Sequence, residues 1–295
     1  MRSKIINIDF FEVILPPDSV MTFNKILETV SQSPDDDSRV VDRGDAPLRL
    51  QAAKKEGHHW EGEMIRIRMK DLPVKAAIDG TTEPIELEDN EGLGEETAFL
   101  FSVPTKTLAL QRNRHGVSAS SFASYFTKKG GVEFIELHPI LRRDALKELA
   151  KMDLVRKFDV RVASVTNGAA ARSQSAGVNA ILDIHDVFKA PSVSVSVSMK
   201  RKPGSLSLPQ IMQTVKQFCK GIDNAVVEKI LITGQDEDGE TALLDLLKWR
   251  IVETIVLPVL DDDRRISAKD RRRAVNQAWE NKKGEITSLV HAEKS

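Results

Sequence analysis

Several features that define common protein classes are missing from this sequence of 295 residues. The chain has one cysteine, Cys219, which excludes an intramolecular disulfide framework and a cysteine-rich zinc site. The longest apolar stretch, 250–260, is interrupted by Glu253 and Pro258 and is too short to cross a bilayer. The first fifteen residues contain no apolar run as long as the hydrophobic region of a signal peptide, so we expect no signal peptide. These absences predict a cytoplasmic protein.

Motifs that bind nucleotides or metal ions are also absent. The sequence has neither a P-loop nor a dinucleotide fingerprint, since Gly92-Leu93-Gly94 alone is too short a match. The run Asp236-Glu237-Asp238-Gly239 fails the spacing of a calcium loop and is better interpreted as a hairpin turn. A second run is Asp261-Asp262-Asp263. A Mg²⁺-dependent nuclease that uses this run, or Asp236–Asp238, stays open as an alternative function. We expect no catalytic residue, no metal site and no cofactor.

Charge is distributed unevenly along the chain, although the total is only −1. Residues 1–97 hold 12 Lys and Arg against 21 Asp and Glu, whereas residues 98–295 hold 31 against 23. Within the second part, residues 98–235 carry 20 basic and 10 acidic side chains. A positive surface attracts a polyanion such as nucleic acid, and an acidic surface repels it. Ordinary solvated charges explain the same counts, so composition alone leaves both interpretations open.

Apolar periodicity predicts strands and helices that do not alternate regularly. Trp60 to Lys70 has the period of two that is typical of a strand, with basic residues on its second face. Ser118 to Lys129, Leu208 to Lys220 and Ser267 to Lys283 have the periodicity of amphipathic helices. This order predicts an α+β fold with mixed or antiparallel sheets and flanking helices.

Two domains are predicted. Residues 1–150 and 236–295 form one α+β domain, with an acidic N-terminal part and a basic C-terminal helix. Residues 151–235 form a smaller inserted α+β domain. The segment 167–177 is rich in small residues and is a candidate linker or mobile loop within the inserted domain.

The segment Ser192 to Met199 alternates valine or methionine with four serines, which predicts a strand with one hydroxyl-bearing face. Two interpretations of that face are open. The serines form a close-packed contact between sheets, or they line a surface along which a sugar-phosphate chain passes. We favour packing between sheets.

Clusters of basic residues recur at the ends of the predicted elements. They are Arg112/Arg114, Lys128/Lys129, Arg142/Arg143, Lys200/Arg201/Lys202, Arg264/Arg265 and Arg271/Arg272/Arg273. Consecutive residues of a helix point in different directions, so the last three fan around its axis and Arg273 must face solvent. Dispersed cations without an aromatic platform suit phosphate contacts, which give affinity without sequence information. We therefore predict that these residues, with the exception of Arg271, contact DNA phosphates. We also predict that the double charge reversals Lys200→Glu/Arg201→Glu and Arg272→Glu/Arg273→Glu weaken duplex binding without unfolding the protein.

Segments of the later two-thirds of the chain resemble the RexA-like proteins of the lambda phage exclusion system. They are Leu93–Phe101 (LGEETAFLF), Leu108–Arg112, Ser118–Lys129, Lys157–Ser164 (KFDVRVAS), Val178–Phe188, Ile230–Leu243 (ILITGQDEDGETAL) and Leu260–Ile286. The resemblance implies a homodimer that binds duplex DNA with little sequence preference. It also implies an architecture related to RdgC, a ring-forming recombination regulator, and a role in phage defence with a membrane partner. It assigns no individual DNA contact to a residue of this chain.

The charge distribution and the resemblance together predict a non-enzymatic, cytoplasmic homodimer that binds double-stranded DNA. We expect it to act as a sensor or regulator in antiphage defence, with a membrane protein as its effector partner. Two alternatives stay open. One is the Mg²⁺-dependent nuclease, and the other is a protein-interaction component that does not bind DNA.

Overall fold

The structure, a computed structural model, describes residues 2–34, 37–44, 46–142, 144–163, 175–190, 192–220, 226–235, 241–259 and 265–292. The strands are β1 Arg2–Ile14, β2 Val40–Val41, β3 Leu48–Glu56, β4 His59–Arg68, β5 Lys75–Ala76, β6 Thr82–Glu83, β7 Leu93–Ser102, β8 Thr107–Gln111, β9 Glu136–Pro139, β10 Leu154–Ala163, β11 Ser192–Ser198, β12 Val226–Gln235, β13 Thr241–Asp245 and β14 Val252–Val259. The helices are α1 Phe23–Ser31, α2 Ala119–Gly130, α3 Asp144–Ala150, α4 Ala176–Phe188, α5 Leu208–Lys220 and α6 Ala268–Ala292. The predicted α+β class with antiparallel sheets is confirmed.

The chain divides into two compact units. Unit 1 comprises residues 1–9, 15–133 and 253–283, and unit 2 comprises residues 10–14, 134–252 and 284–295. The predicted domain boundaries, after residues 150 and 235, stay a prediction. No described helix is both long and apolar enough to cross a membrane.

Unit 1 is built on a sheet with the strand order β14-β1-β8-β7-β4-β3-β2. Side chains alternate along β4, so Trp60 and Glu63 lie on opposite faces. On one face Trp60 donates a hydrogen bond to Asn24 of α1 (2.9 Å), and phenylalanines from α1, α2 and β7 pack edge to face. On the other face Glu63 bonds Arg271 of α6. Helices therefore cover both faces of this sheet.

Capping residues in the sequence mark the ends of α1 and α2. Thr22 and Ser118 cap α1 and α2, each accepting a backbone N–H bond on its side-chain oxygen. Gly131 ends α2 in the left-handed conformation (φ 60°), which glycine adopts without steric cost. Helix α6 extends beyond the predicted end at Lys283, because the buried Ile286 and Val290 continue its apolar face past Gly284.

Unit 2 contains a four-stranded antiparallel sheet in the order β11-β10-β12-β13. Phe158, Val160 and Val162 of β10 point to the face covered by helices and belong to one core. That core also contains Ile181 of α4 and Phe218 of α5. The remaining β10 side chains alternate to the other face, where Lys157 and Arg161 are exposed and Asp159 is buried. Strand β9 pairs antiparallel with the last residues of β1.

Candidate nucleic-acid interface

The sheet of unit 2 presents its second face to solvent. In the register of β10 and β11, Lys157 lies opposite Ser198, Asp159 opposite Ser196 and Arg161 opposite Ser194. Directly paired residues share a face of the sheet, so the cations and the serines lie side by side. Ser192, Ser194, Ser196 and Ser198 are all exposed. The interpretation of these serines as a packed contact between sheets is therefore wrong for this chain.

Strand β12 adds to the same surface. Arg161 lies opposite Lys229, and Asp159 lies opposite Leu231. Lys157, Arg161 and Lys229 are exposed, and they stand on two neighbouring strands about 5 Å apart. The Nε of Arg161 donates a hydrogen bond to the hydroxyl of Ser194 (2.9 Å). That hydroxyl is neutral, so this contact orients the guanidinium and leaves its charge uncompensated.

Asp159 compensates one cation on this surface. Its Oδ2 atom lies 2.8 Å from Nζ of Lys157. Burial raises the pKa of Asp159, but hydrogen bonds from Lys157 and Ser196, with the charges of Lys157 and Lys229, lower it by more. The carboxylate is therefore ionised at neutral pH and offsets the charge of Lys157.

The turn that follows β11 carries three exposed cations, Lys200, Arg201 and Lys202. Arg156 holds the turn from beneath. Its Nη2 donates to the carbonyl oxygens of Lys200 (3.2 Å) and Lys202 (2.7 Å), and its Nη1 donates to the carbonyl oxygen of Gly204. The carbonyl groups thus turn inward, and the cationic side chains extend outward. Among the described residues, none of the three cations has a carboxylate partner. We call Lys157, Arg161, Lys229, Lys200–Lys202 and the four serines the basic face.

Four other predicted contact residues are already paired with carboxylates. Their bonds join Arg112 to Asp9 (2.5 Å), Arg272 to Glu63 (2.9 Å), Arg273 to Asp270 (2.9 Å) and Arg142 to Glu285 (4.0 Å). The hydrogen bonds that Arg112 donates to Asp9 raise the pKa of Arg112. A phosphate would have to displace a carboxylate at each position, so these residues are poorer candidates than the basic face.

The pair of Arg272 with Glu63 belongs to a buried ionic cluster that fixes α6 to the sheet. Arg271 is only 5 % exposed, and its guanidinium binds Glu63 (2.9 Å) and Glu96 (2.7 Å). Glu63 is 3 % exposed and accepts bonds from both arginines. Arg272→Glu would place a second carboxylate beside a buried one. This revises our expectation for Arg272→Glu/Arg273→Glu, which should destabilise the fold.

The remaining predicted residues are scattered over unit 1 or lie outside the described part of the chain. Arg114 follows β8, Lys128 is near the end of α2, and Arg265 precedes α6, and all three are exposed. The amine of Lys129 donates to the carbonyl oxygen of Ser38 (2.5 Å), and burial together with the charge of Lys128 lowers its pKa. Arg143 and Arg264 lie outside the described residues.

The charge separation along the sequence does not become a separation between the two units. Unit 1 holds 25 Lys and Arg against 27 Asp and Glu, and unit 2 holds 18 against 17. The acidic first third of the chain and the basic part of α6 fold into the same unit, where Glu63 binds Arg271. A positive surface is therefore local, and the basic face is the clearest instance.

Sequence reasoning missed Arg161 and Lys229 as candidates because each stands apart from the basic clusters. A signal for Arg161 was present. Lys157, Asp159 and Arg161 alternate with the apolar residues of β10, as the serines alternate with the valines of β11. Pairing these two segments as neighbouring strands would have placed the cations beside the serines.

Both acidic runs, 236–239 and 261–263, lie outside the described residues. The nuclease alternative therefore stays a prediction. Among the residues that the structure describes, no group of three or more His, Cys, Asp or Glu side chains is arranged to hold a metal ion.

Comparison with known proteins gives a family but no activity. No curated protein matches the sequence. A family profile matches residues 1–283, which is nearly the whole chain. The resemblance to RexA-like proteins stays a prediction. The chain belongs to DUF6731, a family of unknown function.

Proposed function

We propose that this protein binds the phosphate backbone of double-stranded DNA through the basic face. The strongest support for this proposal is the arrangement of its cations. Arg161 and Lys229 lie side by side on the exposed face of the sheet, and the turn after β11 adds three exposed cations. None of the five forms an ion pair with a carboxylate among the described residues, although the charge of Lys229 acts on Asp159. Side chains that carry a positive charge or a hydroxyl group commonly contact phosphate oxygens in protein–DNA complexes.

The composition of the basic face favours a duplex over a single strand. Its described residues include no aromatic side chain, since Phe158 of β10 points into the core. Proteins that bind single strands rely on aromatic platforms on which the bases stack. Phosphate contacts alone carry no sequence information, so the proposed binding is independent of base sequence.

The wider role in the proposal follows from the resemblance to RexA-like proteins. In that role the protein is a cytoplasmic, non-enzymatic homodimer that senses or regulates antiphage defence. Its effector partner is a membrane protein. DNA binding is the part of this proposal that the basic face addresses directly.

Fluorescence anisotropy with a short labelled duplex tests the DNA binding. The variant Lys200→Glu/Arg201→Glu reverses two charges of the basic face and should weaken binding at least about tenfold. The matched control is Lys106→Glu/Lys216→Glu. Lys106 is exposed and has the same left-handed backbone as Lys200 (φ 52° and 49°), and Lys216 is exposed on α5, which packs on the opposite side of the sheet.

The control should retain the affinity of the wild-type protein, and circular dichroism should show that both variants are folded. Equal loss in the two variants would mean that binding follows net charge and not the basic face. Unchanged binding by Lys200→Glu/Arg201→Glu would reject the proposed surface.

A further inference from the structure

Strand β11 lies at an edge of the unit 2 sheet, so only one side of its backbone pairs with a strand of that sheet. It contains seven residues, Ser192–Ser198, that alternate serine with valine. Its register with β10 runs without a bulge. Proteins normally protect an edge strand with a charge, a proline or a bulge, because free N–H and C=O groups pair with other chains. None of these three devices occurs in β11.

Helix α4 packs against β11 and α5, and it carries apolar side chains on two faces. Val178, Ile181 and Leu182 point into the core. Ile184 (40 % exposed), Val187 (74 %) and Phe188 (75 %) point away from it. Their spacing of three and four residues places them on one side of the helix. A helix that is apolar all round is normally buried, so the outer stripe of α4 calls for a covering surface.

The side chains on this side of α4 become larger from its N-terminus to its C-terminus. Ala176 and Ala180 precede Ile184 at intervals of four residues, and both are exposed. Two antiparallel copies of α4 would place Phe188 of each helix against Ala176 of the other, and Ile184 against Ala180. Large residues then meet small ones at every level, which is how helices interdigitate. The stripe is therefore complementary to itself in the antiparallel orientation.

The charges beside the stripe also favour a second copy. Asp183 and Asp186 are exposed in the C-terminal half of α4. In this register an antiparallel partner helix brings its first turn, capped by Ser175, toward Asp186, which lies opposite Val178 of the partner copy, and a helix N-terminus attracts negative charge. The same carboxylates argue against a lipid surface, because anionic headgroups repel them.

From the edge strand and the helix stripe together, we infer that two copies of this chain associate through β11 and α4. The two β11 strands pair antiparallel across a two-fold axis normal to the sheet, and the α4 helices pack on the covered side. Val197 of β11, 45 % exposed on that side, joins the contact. The association itself is independent of DNA binding. Its consequence for DNA rests on the proposed function: the two basic faces would lie on the same side of one continuous sheet.

Sedimentation equilibrium of the full chain from about 1 to about 500 µM tests the inference. The wild-type protein should form a reversible dimer. Val197→Lys places a charge on the helix-covered side of the edge strand and should raise the dissociation constant at least about tenfold. The matched control is Leu243→Lys, on the opposite edge strand β13, where the side chain is 65 % exposed. This control should dimerise like the wild-type protein.

Two further measurements keep the inference testable if Val197→Lys fails to fold. Phe188→Asp alters only an exposed helix position and should weaken the dimer similarly. In the wild-type protein, hydrogen exchange at residues 192–198 should slow as the concentration rises. A wild-type monomer throughout the range, or a dimer lost in Leu243→Lys and kept in Val197→Lys and Phe188→Asp, would overturn the inference. DNA binding that persists in monomeric Val197→Lys leaves the proposed function intact, whereas a dimer that binds no DNA rejects that function alone.

Discussion

The salt dependence of DNA binding follows in magnitude from the basic face. Five of its cations have no carboxylate partner among the described residues, namely Arg161, Lys229, Lys200, Arg201 and Lys202. If each neutralises one phosphate, the logarithm of the association constant falls with the logarithm of salt concentration with a slope of about −4.5. Raising NaCl from about 50 to about 200 mM then lowers the affinity about 500-fold.

Anisotropy titrations at four or more salt concentrations measure this slope. The variant Lys200→Glu/Arg201→Glu should reduce its magnitude by about 2, and Lys106→Glu/Lys216→Glu should leave it unchanged. A dimer that engages the duplex with both basic faces should give a slope of about −9. A wild-type slope shallower than about −2 would refute the reasoning, because fewer cations than the face presents would then meet phosphates.

Three predictions concern single residues. Tyr125 is the only tyrosine, and burial raises its pKa to about 12, so the native phenolate absorbance should titrate well above that of the unfolded chain. This shift contributes about 3 kcal/mol of stability below pH 10, which is lost as the pH rises to about 12; a native titration near 10 would contradict it. Asp159→Asn should strengthen duplex binding several-fold in anisotropy titrations by freeing Lys157. Ionised Asp159 stabilises the wild-type fold above its ordinary pKa of 3.8, and this stability is lost as the pH falls through the lowered pKa. Asp159→Asn should lack this pH-dependent part of the free energy of unfolding in urea titrations. Glu63→Gln should cost about 3 kcal/mol in urea unfolding because Arg271 stays buried, whereas the exposed Glu86→Gln should change stability by less than about 0.5 kcal/mol.

Elements with strong periodicity were predictable from the sequence, and elements that depend on pairing were not. Helix α5 spans the predicted residues 208–220, because its apolar positions recur at helical spacing over its whole length. Strand β3 was not predicted. Its second half, Ala52 to Glu56, has no apolar alternation, and its pairing with β4 includes a register shift between Leu50 and Ala52. Pairing with β4, and not the local sequence, therefore determines that β3 is a strand.

The candidate site shows the same division. Clusters such as Arg271/Arg272 are visible in the sequence, but their counter-ions are not, since Glu63 lies 208 residues away from Arg271. Arg112 similarly binds Asp9 across 103 residues. Only the cations that folding does not pair with carboxylates are available to bind an anionic ligand. Arg161 and Lys229 form no ion pair with a carboxylate among the described residues, and neither belongs to a cluster in the sequence.

The bonds from Arg156 to the 200–204 turn have a consequence for the kind of nucleic acid that fits. They anchor the turn to β10, the strand that also carries Arg161, so the spacing between the two groups of cations is set before any ligand arrives. Cations held at a fixed spacing bind best to a double helix whose phosphates have a matching spacing, whatever its base sequence. B-form DNA and A-form RNA present their phosphates across grooves of different width and depth, so we expect the protein to distinguish these two duplexes even when their sequences are the same.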